Sequence, residues 1–337
     1  MKILKKIGWF LLFILGLIAI AFLLGPTMKY EKIDNTPLDG KYSISEVEKI
    51  ITDRNNNPRI KADNEEKIIW ADGIQKTEYA FIYLHGFSAS HEEGAPIHAN
   101  IADRYGANLY LSRLPRHGLN DSLAFLDLTP KLLVDYAKEA IKIGKSIGEK
   151  VIVISCSTGS TLSAFLAAND PDIYAQIMFS PNFELHDKTT KLLTKPWGLN
   201  LARRIKGGNY HQWNAPARAR PFWNHKYRLE GVIALQSLID DTMEAEVFRE
   251  IKQPIFVGYF YKDEQTRDFT VSTEKIQEVE HLLGTPEDLK EFIAYPDGKK
   301  HVFISPLFNE NWERVQDDVI DFLDEKLKLE PIAELAL

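Results

Sequence analysis

The sequence predicts an α/β protein with a doubly wound, mostly parallel sheet, and two observations support this prediction. From residue 79 onward, short apolar runs alternate with longer stretches of helical periodicity. Strands that alternate with helices pair in parallel, because the helix carries the chain back across the sheet. With 337 residues, 45% of them hydrophobic, the chain is long enough to bury a large core. The predicted strands are 80–84, 108–111, 151–155, 176–179, 255–260 and 291–295.

The net charge argues against a nucleic-acid partner, and the cysteine content excludes an intramolecular disulfide. The formal net charge is −7, whereas a nucleic-acid-binding domain needs clustered basic residues on a basic surface. We therefore expect no nucleic-acid partner. Cys156 is the single cysteine of the chain, so no intramolecular disulfide can form.

The N-terminus predicts a membrane anchor. Lys2, Lys5 and Lys6 precede an uncharged and almost wholly apolar run over 7–25, which is about the length of a membrane span. A cleavable signal peptide has a shorter apolar core and a small-residue cleavage site, so we expect an uncleaved anchor over 1–26. The lysines predict a cytoplasmic N-terminus, with the rest of the chain on the periplasmic or extracellular side.

The sequence "SCSTG" at 155–159 predicts a nucleophilic serine. It lies between a predicted buried strand and a predicted helix over 159–168, with the small-x-Ser-x-Gly spacing of a nucleophile elbow. Small residues flank such a serine because the tight turn brings strand and helix close to its backbone. Ser157 is thus the candidate nucleophile. The alternative is an ordinary strand-to-helix loop with serine caps. Cys156 fits less well, because a shift of one residue would replace Gly159 with Thr158 in the motif.

Together with "YLHGFSAS" at 83–90, this motif resembles those of the α/β-hydrolase fold superfamily. The resemblance extends from 79 to about 325 and is greatest to serine carboxylesterases and monoacylglycerol-lipase-like members. It implies an oxyanion hole formed by the backbone N–H groups of Phe87 and Thr158, the residue after the nucleophile. An acyl-transfer reaction needs two such convergent donors.

The resemblance also implies a catalytic acid and a catalytic histidine, in the chain order Ser, Asp, His. His301, in "GKKHVFISP", follows the last predicted strand, where this family places its histidine. Two acids follow the strand over 255–260. Asp263 has the spacing of compact family members, whereas Asp268 begins "DFTVS" and matches the family's Asp-x-x-Val pattern before a helix. We expect Asp268, with Asp263 as the alternative.

The expected domain organisation has three parts. These are the anchor over 1–26, a linker and docking segment over 27–78, and an α/β-hydrolase domain over 79–337 with a cap inserted at about 183–252. The cap is predicted because far fewer residues would suffice to join the two strands. Three of the six tryptophans lie in it, and they either roof an apolar substrate pocket or attach the cap to the core. They are Trp197, Trp213 and Trp223.

The predicted function is a membrane-anchored serine hydrolase for short or medium acyl esters or monoglycerides. Its partner would be a small ester or lipid-like molecule, and the two-step acyl transfer needs no metal or organic cofactor. The histidines of "HEEGAPIH" at 91–98 are seven residues apart and so lack zincin spacing. A peptidase or thioesterase using the same triad is an alternative, and a non-catalytic, membrane-tethered binding module is another.

Overall fold

The computed structural model describes residues 2–332, with the side chains of residues 2–4 and 19 outside that description. Met1 and residues 333–337, at the outer ends of the predicted anchor and the predicted hydrolase domain, lie outside the described residues. The α-helices within it are α1 (Lys2–Leu23), α2 (Ile44–Asn55), α3 (Ile97–Arg104), α4 (Pro130–Ile147), α5 (Thr158–Ala167), α6 (Gly198–Lys206), α7 (Leu229–Thr242), α8 (Ala245–Glu250), α9 (Thr273–Leu282) and α10 (Trp312–Asp321).

The strands form one large sheet and one small hairpin. They are β1 (Lys67–Ile69), β2 (Thr77–Leu84), β3 (Asn108–Leu111), β4 (Gly148–Cys156), β5 (Ile173–Phe179), β6 (Tyr210–Gln212), β7 (Lys226–Arg228), β8 (Ile255–Asp263), β9 (Thr266–Arg267) and β10 (Lys290–Tyr295). The order of the large sheet is β1-β3-β2-β4-β5-β8-β10, and β9 also pairs with β8. From β3 to β10 the neighbouring strands are parallel, while β1 and β9 pair antiparallel.

The predicted mostly parallel sheet is therefore confirmed, and each predicted strand lies within an observed one. Strands β1 and β9 and the hairpin β6–β7 were not predicted. These strands are only two or three residues long and have partly exposed side chains, so they lack the apolar run that marks a buried strand.

The core lies on both faces of the sheet, as the alternation along β2 shows. Ala80, Ile82 and Leu84 pack into the cluster that contains α4 and α5, whereas Phe81 and Tyr83 pack into the cluster that contains α3 and α10. All five side chains are fully buried. A strand buried on both faces is what a doubly wound sheet requires.

The carboxyl ends of the parallel strands meet at one edge of the sheet, and the candidate residues follow these ends. Ser157 directly follows β4, Asp268 follows the β8–β9 hairpin, and His301 follows β10. The segment 183–252, which we call the cap segment, leaves the same edge after β5 and contains α6, α7, α8 and the hairpin β6–β7. In open α/β sheets this edge is where ligands bind.

Helix α1 is long and apolar. Its stretch Lys5–Leu23 has a mean hydropathy of 2.4 and is not buried by the rest of the chain. By length and composition it could cross a membrane, although an N-terminal signal sequence would have the same properties.

Candidate active site

Ser157 occupies a strained backbone conformation between β4 and α5. Its φ of 51° and ψ of −114° are rare for a residue with a side chain. Four backbone hydrogen bonds restrain the turn. The Ser157 N–H donates to the Phe179 carbonyl (2.9 Å), and the Ser157 carbonyl accepts from the N–H groups of Ser160 (3.0 Å), Thr161 (3.2 Å) and Asn182 (3.2 Å). The surrounding fold thus imposes this conformation, as expected at a functional turn.

Gly159 explains why the motif needs a small residue two positions later. A Cβ atom at Gly159 would lie 1.9 Å from the Leu84 carbonyl oxygen of β2. No side chain fits there, because the backbones of the strand and the helix approach too closely. The requirement for glycine is therefore steric, and it follows from the packing of α5 against the sheet.

Asp268 and His301 form a buried hydrogen-bonded pair. The Nδ1 atom of His301 lies 2.6 Å from the Oδ2 atom of Asp268. Asp268 is 1% exposed, and its Oδ1 atom accepts from the N–H groups of Thr270 (2.7 Å) and Val271 (3.4 Å). With Nδ1 engaged by the carboxylate, the Nε2 atom of His301 is left for a reacting group.

The pair shifts the pKa of each partner. Burial alone lowers the pKa of His301, but the Asp268 charge and hydrogen bond outweigh it, so the pKa of His301 is raised above its ordinary value of 6.5. Burial alone raises the pKa of Asp268, but His301 and the two backbone donors outweigh it, so that pKa is lowered. Asp268 is therefore held as the carboxylate that orients the imidazole.

Asp263 lies elsewhere. Strand β8 extends as far as Asp263, whose carboxylate accepts from the Gln265 N–H (3.0 Å) in the turn to β9. The chain then runs back antiparallel, so that the Asp268 N–H donates to the Phe260 carbonyl (3.0 Å). This hairpin brings the second acid, not the first, to His301.

The predicted oxyanion donors belong to two segments that lie close to Ser157. Thr158 begins α5, and Phe87 lies in the loop after β2. In residues 2–332 neither backbone N–H donates to another protein group. A Cβ atom on Gly86 would lie 3.1 Å from the Cβ atom of Ser157, so the loop that carries Phe87 passes beside the serine. Two unengaged donors near a serine could stabilise an oxyanion.

Comparison with known proteins identifies the architecture. No family model matches the chain, and no curated protein matches it. Among solved structures it is similar to that of the metagenome-derived lipolytic enzymes LipS and LipT, with a TM-score of 0.63, 13% identity, and coverage of 79% of this chain and 99% of that one. The chain has the α/β-hydrolase fold. Other similar structures of this fold include a Paleococcus ferrophilus monoacylglycerol lipase (TM-score 0.56, 14% identity, 77% and 97% covered) and Est1E from Butyrivibrio proteoclasticus bound to ferulic acid (0.51, 15%, 81% and 100%).

The three tryptophans of the cap segment lie in different environments. Trp223 is 3% exposed and packs edge-on against Phe308, so it attaches the segment to the core. Trp213 is partly buried between the two core clusters and lines an open cleft of about 520 Å³ with Arg220. Trp197 is 42% exposed and contacts the end of α1 instead. Trp213 therefore lines a cleft of the cap segment, and the residues lining that cleft do not include Ser157, Asp268 or His301.

Glu93 is a buried site residue that the sequence did not reveal. It is 1% exposed, and its Oε2 atom accepts from the Gly86 N–H (2.7 Å) and the Tyr83 hydroxyl (3.1 Å). Burial raises the pKa of this carboxyl, while Gly86 and His301 act in the opposite direction. The carboxyl thus holds the loop that passes Ser157. The sequence offers only two adjacent glutamates in a polar stretch, with no sign that one is buried.

Replacing Glu93 by alanine is expected to lower the free energy of unfolding by about 2–4 kcal/mol, because the Gly86 N–H and Tyr83 hydroxyl lose a buried acceptor. Glu93→Gln keeps an acceptor of similar shape and should cost less. Glu92→Ala, at the half-buried neighbouring position, is the matched control and should leave stability nearly unchanged. Urea unfolding of the full chain in detergent measures all three. Equal stability of Glu93→Ala and the control would contradict this role.

In residues 2–332, no three His, Cys, Asp or Glu side chains converge as a metal site would require. Within "HEEGAPIH", the His98 Nε2 atom lies 3.0 Å from the His91 backbone carbonyl oxygen. The His98 ring therefore contacts the backbone of His91, and the two imidazoles do not share a metal-binding position.

Proposed function

We propose that the chain is a membrane-anchored serine hydrolase that cleaves carboxylic esters, either short or medium acyl esters or monoglycerides. The observation that carries the proposal is the strained Ser157 flanked by two unengaged N–H donors, in a chain whose Asp268 orients His301. The lipolytic and esterase enzymes of the same fold support ester substrates. The proposed parts are the anchor over 1–26, the linker over 27–78, and the hydrolase domain over 79–337 with its cap.

Hydrogen bonds that join the backbones of Ser157 and His301 to neighbouring residues support a joint role of the two in the proposed reaction. The Ser157 N–H donates to the Phe179 carbonyl (2.9 Å), and the hydroxyl of the next residue, Ser180, donates to the His301 carbonyl (2.7 Å). Ser180 is itself held by its N–H bond to the Gly258 carbonyl of β8 (2.8 Å). Two adjacent residues at the end of β5 therefore position both the proposed nucleophile and the proposed base.

The proposed reaction has two steps. The Nε2 atom of His301 takes the proton from Ser157 Oγ, which bonds to the ester carbonyl carbon, and the N–H groups of Phe87 and Thr158 stabilise the resulting oxyanion. Its collapse releases the alcohol, protonated by His301, and leaves an acyl-enzyme. Water deprotonated by His301 then attacks the acyl carbon. As the bond from that carbon to Ser157 Oγ breaks, His301 returns the proton to Oγ, and the carboxylic acid is released. Asp268 stabilises the imidazolium formed in each step.

Membrane attachment is proposed from α1, with residues 1–6 cytoplasmic and the hydrolase domain on the periplasmic or extracellular side. The exposed apolar length of the helix supports a span, and the basic residues before it support this orientation. A protease added to spheroplasts, or to cells without an outer membrane, should degrade the hydrolase domain, and the purified protein should retain its original N-terminus.

A fluorophosphonate probe tests the hydrolase proposal. Covalent labelling, mapped to Ser157 by peptide mass spectrometry, is expected for the full chain in detergent. Hydrolysis of p-nitrophenyl esters of increasing acyl length then measures the size of the pocket. A folded protein that neither labels nor hydrolyses any ester would contradict the proposal and favour a non-catalytic, tethered binding module.

The pH dependence of kcat/KM should follow His301. Only the neutral imidazole can accept the serine proton, and the Asp268 charge raises the pKa of His301 above 6.5. Activity should therefore increase as the pH rises through a midpoint above 6.5, and should be lost below it. Initial rates on one soluble ester across pH 5–9 would measure this (a range centred roughly on the ordinary histidine pKa). A midpoint below 6.5 would contradict the proposed pairing.

A further inference from the structure

Helix α6 of the cap segment presents an exposed apolar stripe. Leu201 and Ile205 lie four residues apart and so share one face of the helix, and Trp197 immediately precedes its first residue. Trp197, Leu201 and Ile205 are 42%, 43% and 71% exposed, and Leu192, which ends the short helical turn six residues before α6, is 49% exposed. The other side of the helix packs inward through Ala202, which is 6% exposed. A contiguous apolar face of this kind marks a surface that binds a partner or a membrane.

The stripe begins where α1 ends. The Trp197 indole Nε1 donates to the Ala21 carbonyl in the last turns of α1 (3.1 Å), and the Trp197 N–H donates to the Pro26 carbonyl (2.9 Å). If α1 crosses a bilayer, its C-terminal end lies at the outer interface, and Trp197 lies at the same depth. Tryptophan is enriched at that depth, where its ring is apolar and its N–H is polar. The two contacts therefore place the stripe beside the lipid surface.

The charge of this part of the cap also fits a lipid surface. The stretch 188–206 contains six basic residues and no acidic one, in a chain whose net charge is −7. Three of the six, Lys195, Arg204 and Lys206, make no ion pair with any residue of the described chain. An apolar helix face flanked by basic residues is typical of helices that lie in the interface of an anionic membrane.

We propose that Leu192, Trp197, Leu201 and Ile205 form a membrane-docking face, by which the cap segment lies on the anionic outer surface of the bilayer that α1 crosses. The inference rests on the proposed anchoring. It gives the cap a role in access to substrate, because the cap segment leaves the sheet edge that carries Ser157, and docking would hold that edge near lipid. Esters dissolved in the bilayer, such as monoglycerides, are the substrate class that gains from it.

A depth measurement tests the docking directly. In the full-length chain, Ile205→Cys is labelled with an environment-sensitive nitrobenzoxadiazole dye and reconstituted into vesicles of phosphatidylcholine and phosphatidylglycerol, with or without spin-labelled lipid. Ile74→Cys is the matched control, because Ile74 is an equally apolar, 59% exposed residue before the amino end of β2, at the opposite edge of the sheet. The wild-type chain, whose only thiol, Cys156, is buried, is the labelling blank.

Docking predicts that the dye at position 205 is blue-shifted and loses most of its fluorescence to spin-labelled lipid, while the dye at position 74 does neither. Replacing phosphatidylglycerol by phosphatidylcholine should weaken the effect. Equal and negligible quenching at the two positions would overturn the proposal. Concentration-dependent shielding of position 205 from a soluble quencher, without lipid quenching, would also overturn it and indicate a second copy of the chain instead.

Kinetics provide a second readout. The double variant Leu201→Asp with Ile205→Asp should hydrolyse a monoglyceride embedded in vesicles about tenfold more slowly, because two apolar contacts with lipid are replaced by charges. Its rate on soluble p-nitrophenyl butyrate should not change, and Ile74→Asp should affect neither rate. Equal rates of the double variant and wild type on the embedded ester would contradict docking.

The two proposals fail in different ways. If the wild-type chain hydrolyses no ester, the hydrolase proposal fails, and the quenching comparison still decides docking. If activity is normal and position 205 is not quenched, docking fails alone.

Discussion

Replacing Ser157 by alanine is expected to lower kcat for ester hydrolysis by about 10⁴- to 10⁶-fold, because no other group can form the acyl-enzyme. The neighbouring Cys156 cannot substitute for it: its thiol is buried, and burial raises its pKa well above the ordinary value. Fluorophosphonate labelling should disappear together with the activity. The measurement is kcat on a soluble ester, with circular dichroism to show that the variant is folded.

Ser160→Ala is the matched control for this substitution. Ser160 lies one turn further along α5, is fully buried, and pairs its hydroxyl with that of Ser155 (3.0 Å). Its removal should cost stability but leave labelling and most of the turnover. A Ser157→Ala protein that keeps its labelling, or a Ser160→Ala protein that loses it while folded, would show that the elbow serine is not the nucleophile.

The sequence predicted the sheet well because burial leaves a simple pattern. A strand such as 151–155, covered on both faces, must be continuously apolar, and the helices between such strands enforce parallel pairing. The edge strand β1 is different: Lys67 and Ile69 are exposed and only Ile68 is partly buried, so three residues carry no recognisable pattern. Strands whose pairing does not require burial cannot be found from apolar runs alone.

The residues of the candidate site also differ in whether the local sequence reveals them. Ser157 could be predicted from the local sequence, because the close approach of α5 to β2 requires the glycine two residues after it. Glu93 could not, because its burial depends on how the loop after β2 folds over the sheet. Choosing between Asp263 and Asp268 depends on the β8–β9 hairpin, in which Tyr261 pairs with Arg267. That pairing spans only a few residues, and nothing in their composition reveals where the chain turns back.

Substitutions of Asp268 and Asp263 should have very different effects on kcat/KM. Asp268→Asn is expected to lower kcat/KM by up to about 10⁴-fold, because the amide no longer holds His301 in the required tautomer or stabilises the imidazolium. Asp263→Asn, at the hairpin turn, should lower it less than about twofold. Each substitution removes one carboxylate, and the two positions are five residues apart at either end of the β8–β9 turn, so they serve as matched variants. Initial rates on one soluble ester would measure both effects.

The pH profile distinguishes an orienting role of Asp268 from a purely structural one. In the wild-type chain the Asp268 charge raises the pKa of His301, so without it burial dominates and that pKa falls. The residual activity of Asp268→Asn should then persist to lower pH than wild-type activity does, although at a much lower plateau. Simple misfolding would lower the plateau without moving the acid limb. The prediction would be wrong if the acidic side of the pH profile did not move in a folded Asp268→Asn protein. It would also be wrong if that side of the profile moved in Asp263→Asn, and the orienting residue would then be an acid other than Asp268.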